Sequence, residues 1–136
     1  ADDVIGIIAT APMPKTQRII VSQDKDLQTI PAQVWRKGDL ITVTEQEADH
    51  YHMFQTLTGD ITDGYKGCPG VGKVKAEKML LAALEKGESM WPTVVAAYVK
   101  AGLTEEDALR QARLARILRW SDWNNDAKKP ILWQPK

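Results

Sequence analysis

The sequence contains a single cysteine, Cys68, so it can close no internal disulfide and build no cysteine-rich zinc site. That usage is compatible with a reducing cytoplasm. Long apolar runs are missing as well. Val4–Ala9 and Met79–Leu84 fall far short of the roughly 20 residues a membrane-spanning helix needs, so no membrane is expected as a partner. No secretory leader is visible, because the chain opens on aspartates rather than on a basic and apolar stretch. Net charge is also lacking: 18 acidic side chains face 18 basic ones over 136 residues.

That balance hides a division. Residues 1–63 carry ten acids and five bases, giving −5, whereas residues 64–136 carry eight acids and thirteen bases, giving +5. A protein that gathers cations in one place and phosphates in another has this split, although ordinary charge scatter also produces it. Hydrophobic residues make up 43% of the chain, enough for an ordered core.

The pattern along the chain predicts a small α/β piece followed by an all-helical one. Asp2–Thr10 reads as a helix with aspartates in its first turn, and Ala11–Lys15, with Pro12 and Pro14, breaks it. Arg18–Ser22 is a short β-branched run of the kind found in buried parallel strands. A short helix over Asp24–Ile30 stops at Pro31, and Lys37–Gly38–Asp39 joins two short strands. Thr44 is the expected N-cap of a helix running to about Leu57, with Glu47 completing a capping box and Gly59 ending it. After a glycine-rich turn over Gly64–Gly72, helices are expected at Lys73–Leu84, Met90–Lys100 and from the Thr104 cap to about Arg119. The tail beyond Trp120 reads as irregular. The corresponding organisation is 1–44, 45–119 and 120–136.

Three aspartate pairs stand beside apolar segments: Asp2 and Asp3, Asp24 and Asp26, Asp60 and Asp63. Asp24 and Asp26 follow a strand directly, and groups past the carboxyl ends of strands line the ligand crevice in open α/β sheets. Asp60 and Asp63 are three apart, so on one helical turn both carboxylates would face the same way. Carboxylates held together repel unless something positive sits among them, and Mg²⁺ or Mn²⁺ suits oxygen ligands. The alternative is that they are N-caps and turn residues. Asp39, Asp49 and Asp107 read as solvated surface.

Gly67-Cys-Pro-Gly-Val-Gly-Lys-Val-Lys-Ala-Glu-Lys-Met-Leu-Leu81 is the most specific stretch. Gly70 and Gly72 let the backbone turn tightly near a ligand, and a helix starting at Lys73 points free N–H groups at it. Lys73 and Lys75 add positive charge, which makes a phosphate clamp of the helix–hairpin–helix type that grips duplex DNA without reading bases. It is not a Walker loop, since no Ser or Thr follows Lys73. Tyr65 and Lys66 are candidates for touching a strand near the turn. Arg110, Arg113, Arg116 and Arg119 recur every three residues, as a second phosphate-facing stripe or, better, as a solvated helix face. His50 and His52 point apart on a helix and read as structural, and the five tryptophans read as core and tail anchors.

In their order, Ala-Asp2-Asp3, Val-Ser-Gln-Asp24-Lys-Asp26-Leu, Leu-Thr-Gly-Asp60-Ile-Thr-Asp63 and Gly-Cys-Pro-Gly-Val-Gly-Lys resemble the 5′ nucleases, the flap endonuclease and 5′–3′ exonuclease family. The bacteriophage exonucleases and the 5′-nuclease domain of bacterial DNA polymerases are the nearest in style. The resemblance implies part of a three-layer parallel-sheet nuclease core, then a helix–three-turn–helix DNA-binding region. It implies Asp2, Asp3, Asp24 and Asp26 in a first metal cluster, with Asp24 and Asp26 catalytic, and Asp60 and Asp63 at a second ion. Lys66, Gly70, Gly72, Lys73 and Lys75 would bind DNA, with K⁺ on backbone carbonyls of the turn. The cofactors implied are two Mg²⁺ or Mn²⁺ ions. The reaction implied is hydrolysis at 5′ ends or flaps of duplex DNA, and of RNA–DNA hybrids, as in primer removal during replication in a bacterial cytoplasm.

Family members place a first strand, a second acidic site and a basic arch before Ala-Asp-Asp. This chain is therefore expected to be a carboxy-terminal fragment whose partner is the amino-terminal part of the same enzyme. A non-catalytic duplex-DNA-binding module, and a scaffold that pairs with a separate amino-terminal chain, are the competing expectations.

Overall fold

The structure, a computed structural model, describes residues 2–12 and 17–135. Ala1 and the Pro14 and Lys15 of the expected helix break lie outside the described residues. The chain is a mixed α/β protein that divides into two compact units, Ala1–Asp49 with Ile117–Leu132 and His50–Arg116 with Trp133–Lys136.

In the first unit, aspartates at the positive end of the helix dipole and an apolar face make Asp2–Thr10 a helix, α1, as the pattern predicts. The Arg18 guanidinium donates to the carbonyls of Ile8 and Ala11 at the other end of α1, where the helix itself carries no basic residue. Strands β1 (Ile19–Val21), β2 (Gln33–Arg36) and β3 (Asp39–Thr42) lie in that order, β1 parallel to β2 and β2 antiparallel to β3. Lys37 and Gly38, both with positive φ, make the two-residue turn whose twist matches a hairpin. The helix expected after Asp24 is a 3-10 turn, Lys25–Thr29.

Pairing of Ile20 with Val34 places both on the sheet face that packs with Leu27, Ile30, Val43, Ala48 and Ile117. Gly6 lets α1 reach the 117–118 backbone, since a Cβ there would lie 2.1 Å from the Leu118 carbonyl oxygen. The end of the arginine series departs from expectation here. Arg119 is only 5% exposed, and its guanidinium donates to Asp49 Oδ1 at 2.8 Å and to the Thr29 carbonyl at 3.0 Å. Asp49 is accordingly an ion-pair partner rather than a purely solvated residue. The tail is also more ordered than expected: Trp120–Asp122 forms a 3-10 turn, and β4 (Trp123–Asn124) pairs antiparallel with β5 (Lys129–Pro130).

Helix α2 (Glu45–Thr58) runs on into the second unit, which also holds α3 (Lys73–Glu85), α4 (Met90–Lys100) and α5 (Glu105–Ala115). Thr44 caps α2 by accepting from the Glu47 N–H, while Glu47 Oε1 accepts from the Thr44 hydroxyl rather than from the backbone N–H of a full capping box. The core joins Met53, Leu57, Cys68, Ala76, Leu80, Val94, Tyr98 and Ala108. Burial holds the Tyr98 hydroxyl well above its ordinary pKa, with Cys68 and Asp107 adding to the shift, and it donates to the Thr56 carbonyl at 2.6 Å. His52 Nε2 lies 2.7 Å from the Ala112 carbonyl, and the Trp133 ring packs edge-on against both His52 and Trp91. These bear out the structural reading of His52 and the anchoring reading of Trp91 and Trp133.

α5 stops four residues before the expected Arg119, because Arg116 takes extended backbone. Its start is set by a reciprocal box: Thr104 Oγ1 accepts from the Asp107 N–H, and Asp107 Oδ2 accepts from the Thr104 N–H and hydroxyl. Those bonds hold the Asp107 carboxyl below the ordinary carboxylate pKa. A lowered folded pKa means this contribution is complete above the usual carboxylate range and is lost as pH falls through the folded value. Thr104→Ala should cost about 1 kcal/mol at neutral pH. The melting-temperature gap between Asp107→Asn and the parent should narrow steadily as pH falls towards 3, which paired thermal melts would check.

Candidate metal and nucleic-acid site

The candidate aspartates of the first unit sit at the start of α1 and just after β1. Asp2 is half-buried and Asp3 exposed in the first turn of α1, and Asp3 Oδ1 accepts from the Leu118 N–H at 2.9 Å. Asp24 and Asp26 follow β1. Asp24 caps the 3-10 turn by accepting from the Asp26 N–H at 2.9 Å, and half-buried Asp26 pairs with Lys25 Nζ at 3.1 Å. Gln23 fixes the loop that carries them, its carbonyl accepting from Arg36 Nε and its Oε1 from the Lys37 N–H. Among the described residues of this unit, Asp2, Asp3, Asp24 and Asp26 make no group of three whose ligand atoms fall within 4.8 Å of one another.

Asp60 and Asp63 lie in the second unit on a tight turn rather than on a helix. The Asp60 backbone pairs with Tyr65 in both directions, and Asp60 Oδ1 accepts from the Thr62 N–H at 3.0 Å and, more weakly, from the Asp63 N–H at 3.4 Å. The turn still achieves what the spacing predicts, for an oxygen of each carboxylate lies within 4.8 Å of the other. A small divalent ion ~2.1 Å from each ligand separates neighbouring ligand oxygens by roughly 3–4 Å, a spacing that falls inside this limit. Asp60 is half-exposed and Asp63 exposed, which leaves room for the waters such an ion retains.

The glycine-rich turn joins α2 to α3. Gly59 ends α2 in the left-handed region at φ 72°, and Gly67, also at φ 72°, packs its backbone against Gly59 and Thr58. The Cys68 N–H donates to the Leu57 carbonyl and buries the thiol, whose pKa is raised by desolvation and partly restored by Lys75. Gly70 turns at φ 77° in open space. α3 then starts after Gly72 with no side-chain cap, so acceptors for its first N–H groups must come from elsewhere. Lys66, Gly70, Gly72, Lys73 and Lys75 are all exposed around this start. Tyr65 is not available to a ligand, because it is 3% exposed within the turn.

Gln111 carries no functional signal in the sequence. Its Oε1 accepts from the buried Gly67 N–H at 2.9 Å across 44 residues, a separation that leaves no local signal. Gln111→Ala should leave that donor unpaired and cost about 1–3 kcal/mol, read as a lower urea midpoint. Arg113, two residues on along α5, donates through Nε to the Trp133 carbonyl and so anchors the tail.

Two proteins compare closely with this chain in sequence. An exonuclease of Escherichia phage T7 is 36% identical over 165 aligned positions, which cover 98% of this chain and 55% of that protein. An exodeoxyribonuclease of Enterobacteria phage T3 is 35% identical, with 99% of this chain and 55% of that protein covered. The likeness is to phage exonucleases. The alignments exceed the chain's length because the relatives carry residues opposite gaps in it. The chain thus spans about half the length of the relatives it matches. No family model matches it. Among the described residues, no helix is long and apolar enough to cross a membrane.

Proposed function

We propose that this chain is the part of a divalent-metal-dependent exonuclease that supplies acidic metal ligands and the grip on duplex DNA, acting at 5′ ends or flaps. The likeness to the two phage exonucleases across nearly the whole chain carries the reading. In it, Asp2, Asp3, Asp24 and Asp26 serve one Mg²⁺ or Mn²⁺ ion, and Asp60 and Asp63 serve a second. Such ions neutralise phosphodiester charge and make water a stronger nucleophile at neutral pH. The chain's own groups have three tasks. The Asp60 turn keeps two carboxylates together, the uncapped start of α3 offers N–H groups to a backbone phosphate, and Lys66, Lys73 and Lys75 supply charge. Residues 1–44 contribute the first acids and 45–119 the DNA grip, with K⁺ on turn carbonyls and a host-cell cytoplasm as further parts of the proposal. RNA–DNA hybrids are included because backbone contacts do not read bases.

The test is cleavage of a 5′-flap duplex with Mg²⁺, comparing the parent with an Asp24→Asn, Asp26→Asn variant. Cleavage by the parent should fall to the no-enzyme level in the variant and on adding a chelator. Equal, salt-sensitive binding by both proteins without any cleavage would favour the second reading, a duplex-binding module, for which the exposed lysines at the start of α3 speak.

A further inference from the structure

We propose that Gln111 belongs to the nucleic-acid interface, its side-chain amide joining the glycine-rich turn to a backbone phosphate seated beside Lys66. The inference rests on reading that turn as a grip on duplex DNA. Gln111 is half-buried on α5, and its Oε1 accepts from the Gly67 N–H at 2.9 Å. A backbone N–H can only donate, so this bond fixes which end of the amide faces the turn. Nε2, with two donor hydrogens, is the end left over. Oxygen and nitrogen of one carboxamide lie about 2.3 Å apart, so Nε2 stands no more than roughly 5 Å from Gly67 N. Among the described residues nothing bonds Nε2, and it is not an enclosed atom, so its hydrogens are open to solvent.

The choice of residue argues for an anionic ligand. If holding Gly67 were the whole task, a carboxylate at 111 would do it better, because a charged acceptor bonds an N–H about twice as strongly. It would also be attracted to the exposed Lys66, the residue next to Gly67. A neutral amide has neither advantage. What it has is a pair of donors, which a phosphate oxygen accepts, whereas a carboxylate would repel that oxygen. The Gly67 N–H is itself engaged and cannot serve DNA. Gln111 therefore replaces one occupied backbone donor of the turn with two that remain open.

The test is binding of the full chain to a fluorescently labelled DNA duplex in the presence of a chelator, so that nothing is cleaved. Hydrogen exchange of the Gly67 amide is read in parallel. Gln111→Glu keeps an oxygen for Gly67 and removes the donors. It should keep the parent's melting temperature and Gly67 protection but bind duplex about tenfold more weakly. Gln111→Met has neither group and should lose protection as well as binding. Val99→Glu, the same charge at an exposed site on α4, should bind within about twofold of the parent. Unchanged binding by Gln111→Glu overturns the inference and leaves the grip standing. So does a Gln111→Glu that loses Gly67 protection in step with binding, which makes Gln111 a structural residue alone. An equal loss in Val99→Glu overturns it too, by assigning the effect to net charge. A parent that binds no duplex removes the grip itself, and this inference with it.

Discussion

Gly67→Ala should destabilise the chain by about 3–5 kcal/mol, the range reached when both backbone strain and packing fail at one position. The residue sits at φ 72°, where a side chain is already unfavourable by about 1–2 kcal/mol. The new Cβ would also lie 2.4 Å from Gly59 N, 2.6 Å from the Thr58 carbonyl carbon and 2.7 Å from the Leu57 carbonyl oxygen. These are backbone atoms at the end of α2, so nothing flexible can give way. Gly70→Ala separates the two effects. Its φ is equally positive but no atom lies within 4 Å of the added Cβ, so only the strain of about 1 kcal/mol should appear. Urea denaturation of both variants checks the contrast. A Gly67→Ala loss no larger than that of Gly70→Ala would show that the close approach of the two glycine backbones is not tight in solution.

Arg119→Ala should cost about 2–4 kcal/mol, again by urea midpoint. Its guanidinium is enclosed, at 6% side-chain exposure, while Asp49 is 41% exposed. The ion pair itself is therefore partly screened, and most of the loss comes from the abandoned Thr29 carbonyl and the space left behind. Arg119→Lys should recover less than half, because a single ammonium does not span both acceptors as the planar fork does. Asp49→Asn should cost under about 1 kcal/mol, since water can replace the exposed partner.

What the sequence made legible was local. The Thr104 cap, the apolar spacing of Met90–Lys100 and the turn at Lys37–Gly38–Asp39 each act over a few residues; the cap and the helix form where they are expected, and the turn narrows to Lys37–Gly38 with Asp39 already in β3. Where α5 stops was not visible, because Leu109 to Leu118 keeps a helical look and the extended turn at Arg116 serves burial of Ile117 and Arg119 elsewhere. The same fact dissolves the arginine stripe, whose period of three was real but whose last member is a buried ion-pair residue. Helical spacing predicts Asp60 and Asp63 as neighbours, and a tight turn is what makes them so. Tyr65 is a candidate for touching DNA by its place near the turn, yet in the structure it pairs its backbone with Asp60 and is buried. The bond between Gln111 and Gly67 leaves no trace in the sequence, since it spans 44 residues.

The first unit is assembled from both ends of the chain, and that imposes an order on biosynthesis. Asp3 bonds Leu118, Thr10 bonds Trp120 and Thr29 bonds Arg119, sequence separations of 115, 110 and 90 residues. A ribosome delivers α1 and the sheet well before the residues at 117–120 that staple them. The helices between Glu45 and Ala115 make mainly shorter-range contacts and close early. During synthesis the sheet must wait with its apolar strands open, the interval in which a nascent chain is most prone to aggregate. Truncation shortly before Ile117 would make that wait permanent.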